Sequence, residues 1–238
     1  MGLKQSKGNM YKWCTHTHTH LGGICHNNCK YCYVETLSRQ RYHDPKYLGE
    51  TRLIEEELDV DYGSGKIIFI EHCNDICGDG VKIEWVERIL EHCRRYPDNT
   101  YIFQTKNPLL LKLRGAGRFP SNMLVGTTIE TDNETLLEEI SDVGVTPMMR
   151  AIGLAIFAKM PGVETFVTIE PILKFNLDRL LLVLRMARPN WINIGADSKG
   201  HGLPEPSSEE ISQLISDIEQ LGIGIVRKSN LQRLFLEK

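Results

Sequence analysis

Short apolar, β-branched runs alternate along this chain with longer segments whose apolar residues recur every three or four positions. The first pattern predicts buried strands and the second predicts helices with one face on a core. Strands are expected at 66–70, 100–104, 123–129, 163–169, 191–195 and 223–227, with an earlier one within 11–19. Helices are expected at 82–96, 108–114, 132–142, 148–160, 177–188 and 208–220. In the last of these, Ile211, Leu214, Ile215 and Ile218 share one face, followed by Leu221. Thr131 with Glu134, and Ser207 with Glu210, have the spacing of capping boxes at two helix starts. Regular β-α alternation predicts an α/β fold with a parallel sheet covered by helices, either an incomplete barrel or an open doubly wound sheet. No repeat or linker divides the pattern, so one domain is expected over 1–238, with 195–206 as its glycine- and proline-bearing loop.

Composition changes little in that picture. The chain has 238 residues, 41% of them hydrophobic and 25% charged, enough for a substantial core. A formal charge of -3 gives no broad nucleic-acid footprint, and no apolar run reaches membrane-spanning length. The opening MGLKQS fits the short myristoylation pattern, which chance matches readily. Seven cysteines, an odd number with no secretory leader, point to reduced thiols and a cytoplasmic setting. Cys93 falls on the apolar face of its helix and reads as a small buried hydrophobe.

Chemistry enters with GGICHNNCKYCY. Cys25, Cys29 and Cys32 stand in a C-x3-C-x2-C spacing. Three thiolates suit three corners of a cubane iron–sulfur cluster and leave one iron open, whereas electron-transfer clusters usually take four. Zinc competes, with His20, His26 or Cys14 as fourth ligand. Just upstream, WCTHTHTHLGG would place Cys14, His16, His18 and His20 on one side of an extended strand. Such a row reads as a hydrogen-bonded barrel interior, a proton or substrate relay, or a second metal site. Cys73 and Cys77 add two thiols, either pocket-lining or, with Cys14, an auxiliary cluster.

The cysteine spacing, with Tyr31 before the last cysteine, resembles the radical S-adenosylmethionine (radical SAM) superfamily. FIEHCNDIC (69–77), FQTKNP (103–108), GTTIE (126–130), TIEPIL (168–173) and IGADSKG (194–200) extend the likeness. Together they resemble an uncharacterised, phage-associated branch distantly similar to spore photoproduct lyase. The chain departs from that branch at Glu71, Asn107 and Asp197, where glycine, arginine and glutamate are expected. The resemblance implies a partial β/α barrel of about six parallel strands, with the cluster loop 22–33 at the C-terminal mouth. It also implies a [4Fe-4S] cluster on Cys25, Cys29 and Cys32. That cluster would reductively cleave SAM to a 5'-deoxyadenosyl radical, for hydrogen abstraction in oxidoreductase or lyase chemistry. An external one-electron donor and a nucleotide or nucleic-acid substrate would be its partners, with no membrane. The other readings are a radical SAM enzyme for a peptide or small metabolite, and a non-catalytic iron–sulfur or zinc-stabilised binding protein.

Active sites on barrel folds collect at strand C-termini, which selects the remaining candidates. Glu71, Asp75 and Glu170 are expected in catalytic or substrate-facing roles. Tyr31 and Tyr33 are expected to pack around the cofactor. Lys106 would meet a carboxylate, Glu130 a ribose, and Thr128, Asn193, Asp197 and Ser198 would line the same mouth. Arg227 and Lys228 would add positive charge.

Overall fold

The computed structural model describes residues 2–8, 10–35 and 44–236. In chain order its strands are β1 (Lys4–Gln5), β2 (His16–His18), β3 (Leu21–Gly22), β4 (Arg52–Leu53), β5 (Ile67–Ile70), β6 (Thr100–Gln104), β7 (Met123–Thr128), β8 (Glu164–Ile169), β9 (Trp191–Ile194) and β10 (Gly224–Arg227). Its helices are α1 (Tyr33–Glu35), α2 (Ile83–Arg94), α3 (Pro108–Arg114), α4 (Glu134–Ile140), α5 (Pro147–Phe157), α6 (Leu177–Ala187), α7 (Ser208–Gln220) and α8 (Arg233–Leu236).

Local chemistry explains where the helices begin. Asn107, Asn133, Thr146, Asn176 and Ser207 each cap a helix by accepting from a backbone N–H of its first turn. Ser207 and Glu210 form the full capping box. Thr131 does not, because its hydroxyl donates to the Lys174 carbonyl and Asn133 takes the cap of α4. Gly153 lets α5 approach α3: a Cβ there would sit 2.6 Å from the Leu109 backbone nitrogen.

The main sheet has eight strands in the order β1-β2-β5-β6-β7-β8-β9-β10, and β3 pairs with β4 separately. The seven strands from β2 to β10 in this order run parallel, and β1 joins β2 antiparallel. The fold is therefore a mixed, open, barrel-like α/β sheet with flanking helices, rather than about six parallel strands. The extra edge strand escaped the sequence reading because Lys4 and Gln5 are both polar and exposed, with no burial pattern to follow.

Residues paired in register share a face, which divides the core in two. Ile68, Ile70, Tyr101, Phe103, Val125, Val167, Ile169, Ile192 and Ile194 point outward to the helices. Phe69, Ile102 and Phe166 point inward, with Leu124 and Trp191 packed on them. Tyr11 and Trp13 stack at 4.9 Å and meet the Phe166 ring edge-on, plugging the interior. Gly126 is required at this plug, since a Cβ would fall 2.3 Å from the Phe166 ring.

The histidine row lies opposite to the expected side. Thr17 pairs with Phe69 and faces inward, so His16 and His18 pair with Ile68 and Ile70 and face outward. There His18, His20 and His92, the last on α2, are buried together against residues 45–62.

Candidate functional site

Above the aromatic plug, the strand C-termini enclose a cavity of about 730 Å³. Its floor is Tyr11, whose hydroxyl bridges Gln104 Oε1 and Thr168 Oγ1 at 2.5 Å each. Thr128 and Thr168 are paired in register on the inner face, and Gln104 Nε2 donates to Thr128 Oγ1 at 3.0 Å. Phe69, Tyr31 and Tyr33 supply aromatic wall, and Gly23, Ile24, Cys25, Cys29 and Cys32 form the loop side.

The charged residues at the mouth are bound to one another. Glu130 is fully buried, outside the cavity lining, between Lys106 Nζ, the Tyr31 hydroxyl and Arg150 Nη1, the last at 2.9 Å. Burial alone would raise its pKa, but Lys106 and Arg150 prevail and hold the carboxyl down at about 2. Asp75 accepts from Thr105 Oγ1 at 2.6 Å, and from Asn27 Nδ2, Cys77 N and Lys106 N at 2.9 Å. Glu170 takes Lys228 Nζ at 2.5 Å and Asn230 Nδ2 at 2.8 Å. A Cβ on Gly195 would lie 2.9 Å from Glu170 Oε1, so the bare backbone makes room for this network. Asp197 accepts from the Lys199 and His201 backbones, and Asn230 donates to Ser198 Oγ at 2.8 Å.

Glu71 stands at the end of β5 with a left-handed φ of 58°. Its carboxylate takes His20 N at 2.8 Å, His20 Nδ1 at 2.6 Å and Leu21 N at 3.1 Å, which ties the start of the cysteine loop to the sheet. Burial opposes the charge, yet these donors hold Glu71 below the usual carboxylate range.

Of the expected site residues, Cys25, Cys29, Cys32, Glu71, Asp75, Glu170, Tyr31, Tyr33, Lys106, Thr128, Asp197 and Ser198 line this cavity. Glu130 does not, because Lys106 and Arg150 occupy it. Asn193 lies fully buried beneath, its amide 3.5 Å from Thr168 Oγ1. Arg227 points outward to Glu219, whereas Lys228 turns inward over Tyr11. Sequence reasoning missed Tyr11, Phe69, Gln104, Thr168, His72 and Asn230. Strand-end alternation could have found Phe69, Gln104 and Thr168; nothing local marks Tyr11 or Asn230.

The cysteine chemistry is corrected here. Among the described residues, no group of three or more His, Cys, Asp and Glu side chains is disposed to hold a metal ion. This finding overturns the [4Fe-4S] cluster on Cys25, Cys29 and Cys32, and with it the radical SAM enzyme and its reductive SAM cleavage. SAM, the external electron donor and the nucleotide or nucleic-acid substrate fall as partners of that chemistry. A zinc set, an auxiliary cluster on Cys14, Cys73 and Cys77, and a second metal on His16, His18 and His20 fall on the same ground. Protein neighbours and burial account for the thiols instead. Cys29 Sγ lies 3.6 Å from the Asn27 carbonyl, burial pushes Cys25 up to about 12, and burial raises Cys29 and Cys32 as well. At neutral pH they form a protonated, weakly polar wall. All seven cysteines are free of disulfides.

The barrel-like sheet with a cavity at its C-terminal mouth defines a fold shared with spore photoproduct lyase. A point mutant of that enzyme aligns over 95% of this chain and 80% of its own, with a TM-score of 0.63 and 11% identity. Spore photoproduct lyase complexed with dinucleoside spore photoproduct gives 0.62 and 11% over 92% of this chain and 78% of that one. A double mutant with bound AdoMet and the same dinucleoside gives 0.56 and 12%, covering 90% and 65%. The resemblance to spore photoproduct lyase, expected from the strand-end motifs, is thus present at the level of fold. No curated protein matches the chain in sequence. The chain belongs to the family described as "Protein of unknown function (DUF5131)", which matches residues 9–203. No helix among the described residues is long and apolar enough to cross a membrane.

Proposed function

We propose that this chain is a non-catalytic binding protein that holds a small, uncharged, flat-bodied organic molecule in the mouth cavity. The observation that carries this reading is the cavity itself. Its volume of about 730 Å³ suits a small ligand, and its surface is mainly apolar and aromatic with a few convergent polar groups. Lys106 is paired with Glu130, Lys228 with Glu170, and the oxygens of Glu71 and Asp75 are occupied by donors. A charged ligand would have to break one of these pairs and strand its partner, which costs several kcal/mol, about 3–5 for a buried pair. A neutral ligand can stack on Phe69 and Tyr31 and take single hydrogen bonds from Gln104, Thr128 or Ser198. The site is read on a single-domain partial β/α barrel of radical SAM-like topology. Seven free thiols support a cytoplasmic setting.

The test is saturation-transfer NMR against neutral bicyclic aromatic compounds, followed by titration of the best ligand into a Thr128→Phe variant. The inward phenyl ring should weaken binding by at least about tenfold, and the ligand should be recovered unchanged. No binding to the natural chain, or unaltered affinity in the variant, sinks the reading. Chemical conversion of the ligand would overturn its non-catalytic part.

A further inference from the structure

The buried histidines outside the cavity form a relay whose proton count is set by its ends. The Val60 carbonyl can only accept, so His92 Nε2 donates to it at 2.8 Å. A neutral His92 then offers Nδ1 as acceptor, and His20 Nε2 lies 2.8 Å from it as donor. The other His20 nitrogen meets the Glu71 carboxylate at 2.6 Å. A second ring proton on His92 would set N–H against N–H at that 2.8 Å contact.

This relay fastens residues 45–62 to the barrel. Val60 and Tyr62 belong to that segment, with the Tyr62 hydroxyl 3.1 Å from His20 Nε2. Beside them Glu57 Oε2 accepts from His18 Nε2 at 2.9 Å, and Lys46 Nζ joins Glu57 Oε1 to the Thr19 carbonyl. The segment also builds the cavity wall. Tyr47 lines the cavity, and the carbonyls of Lys46 and Gly49 accept from Gly23 and Ile24 on the loop leading to Cys25.

We infer that residues 45–62 are an acid-released latch on the cavity wall, opened when His92 gains its second ring proton. Charged and titratable groups meet His92 from every element packed against it. From the segment come Asp59 and Tyr62, with Glu57 and Lys46 one contact further; from the strand ends come His18, His20 and Glu71. Arg95, Tyr96 and Cys93 lie on its own helix, and Tyr101 on β6 stands behind Tyr62. Burial, the neighbouring His20 and Arg95 press His92 toward the neutral form, down to about 4, and outweigh the Val60 hydrogen bond and Asp59. The segment therefore stays closed at neutral pH and loosens as pH falls from the ordinary histidine range toward that value. Release of a cavity ligand in acid is the consequence, and only this consequence rests on the binding reading above.

Hydrogen–deuterium exchange on the full chain without ligand, at about pH 7 and about pH 5 and corrected for intrinsic rates, tests it. Peptides covering 45–62 and 21–25 should lose at least about tenfold protection while β6, β7 and β8 keep theirs. His92→Gln, with an acceptor and a donor and no titration, should hold the segment closed at the lower pH. Nitrogen-15 imidazole shifts of the natural chain give a second reading should that variant not fold. Opening while His92 still carries one ring proton, joint loss of protection across the barrel, or equal opening in His92→Gln would each overturn the latch. Closed-to-open behaviour without any ligand binding would sink the cavity reading alone.

Discussion

Glu130 shows how one residue can look like a ligand-binding group in sequence and be structural in the fold. It follows a strand and precedes a capped helix, where a carboxylate facing a mouth is expected. Instead it neutralises Lys106 and the fully buried Arg150. Glu130→Gln should leave two buried cations against one neutral amide, and cost about 3–5 kcal/mol in urea unfolding. The sign with pH follows from the lowered folded value. The stabilisation is complete above the unfolded glutamate range near 4.5 and is lost as pH falls through that range toward about 2. A Gln variant as stable as the natural chain at neutral pH would show that the site relaxes around the lost charge. Gly126 carries a second prediction. An added methyl 2.3 Å from the Phe166 ring must displace the aromatic plug, so Gly126→Ala should destabilise by about 1–3 kcal/mol. Equal denaturant midpoints for the two chains would refute it.

At the scale of elements, legibility tracked periodicity. Strand β6 and helices α3 and α7 fall on their expected limits because a short, continuously buried run or an apolar helical face fixes them. The ends of α4 were misread, since Thr131 and Asn133 both precede Glu134 and only tertiary contact sends the Thr131 hydroxyl to Lys174. The α7 cap was legible because Ser207 and Glu210 satisfy each other locally. Ser207→Ala should therefore cost about 1 kcal/mol, with early exchange of the first-turn amides of α7. Unchanged exchange there would mean that packing of Ile211, Leu214 and Ile218 alone holds the helix start. The elements β1, β3 and β4 were not legible, each having only two residues.

For the whole molecule, three histidines bury their neutral rings: His18 at about 3, and His72 and His92 at about 4, burial being the first cause in each case. The unfolded chain binds protons at histidine near pH 6.5, while the folded chain refuses them until well below that value. Stability should fall as pH drops from about 6.5 toward about 4, before most carboxylates titrate. Urea midpoints measured across that interval would expose the effect, and a flat profile would mean that these rings are hydrated in the folded state.

The sequence alone determined the α/β class, the order of most elements and the set of residues gathered at one end of the sheet. Those properties follow from short-range periodicity, and from the rule that parallel strands place all their C-termini on one side. Tertiary structure decided what the gathered residues do to each other. A one-residue parity sends the histidine row outward, because Thr17 and not His18 pairs with Phe69. The cysteine spacing fixes proximity along the chain, but whether thiols converge on an ion depends on side-chain directions that the whole fold sets. Pairing of Lys106 with Glu130 and of Lys228 with Glu170 likewise joins residues 24 and 58 positions apart. Such pairs cancel charges that look available in sequence, and turn a mouth rich in ionisable groups into a largely apolar cavity.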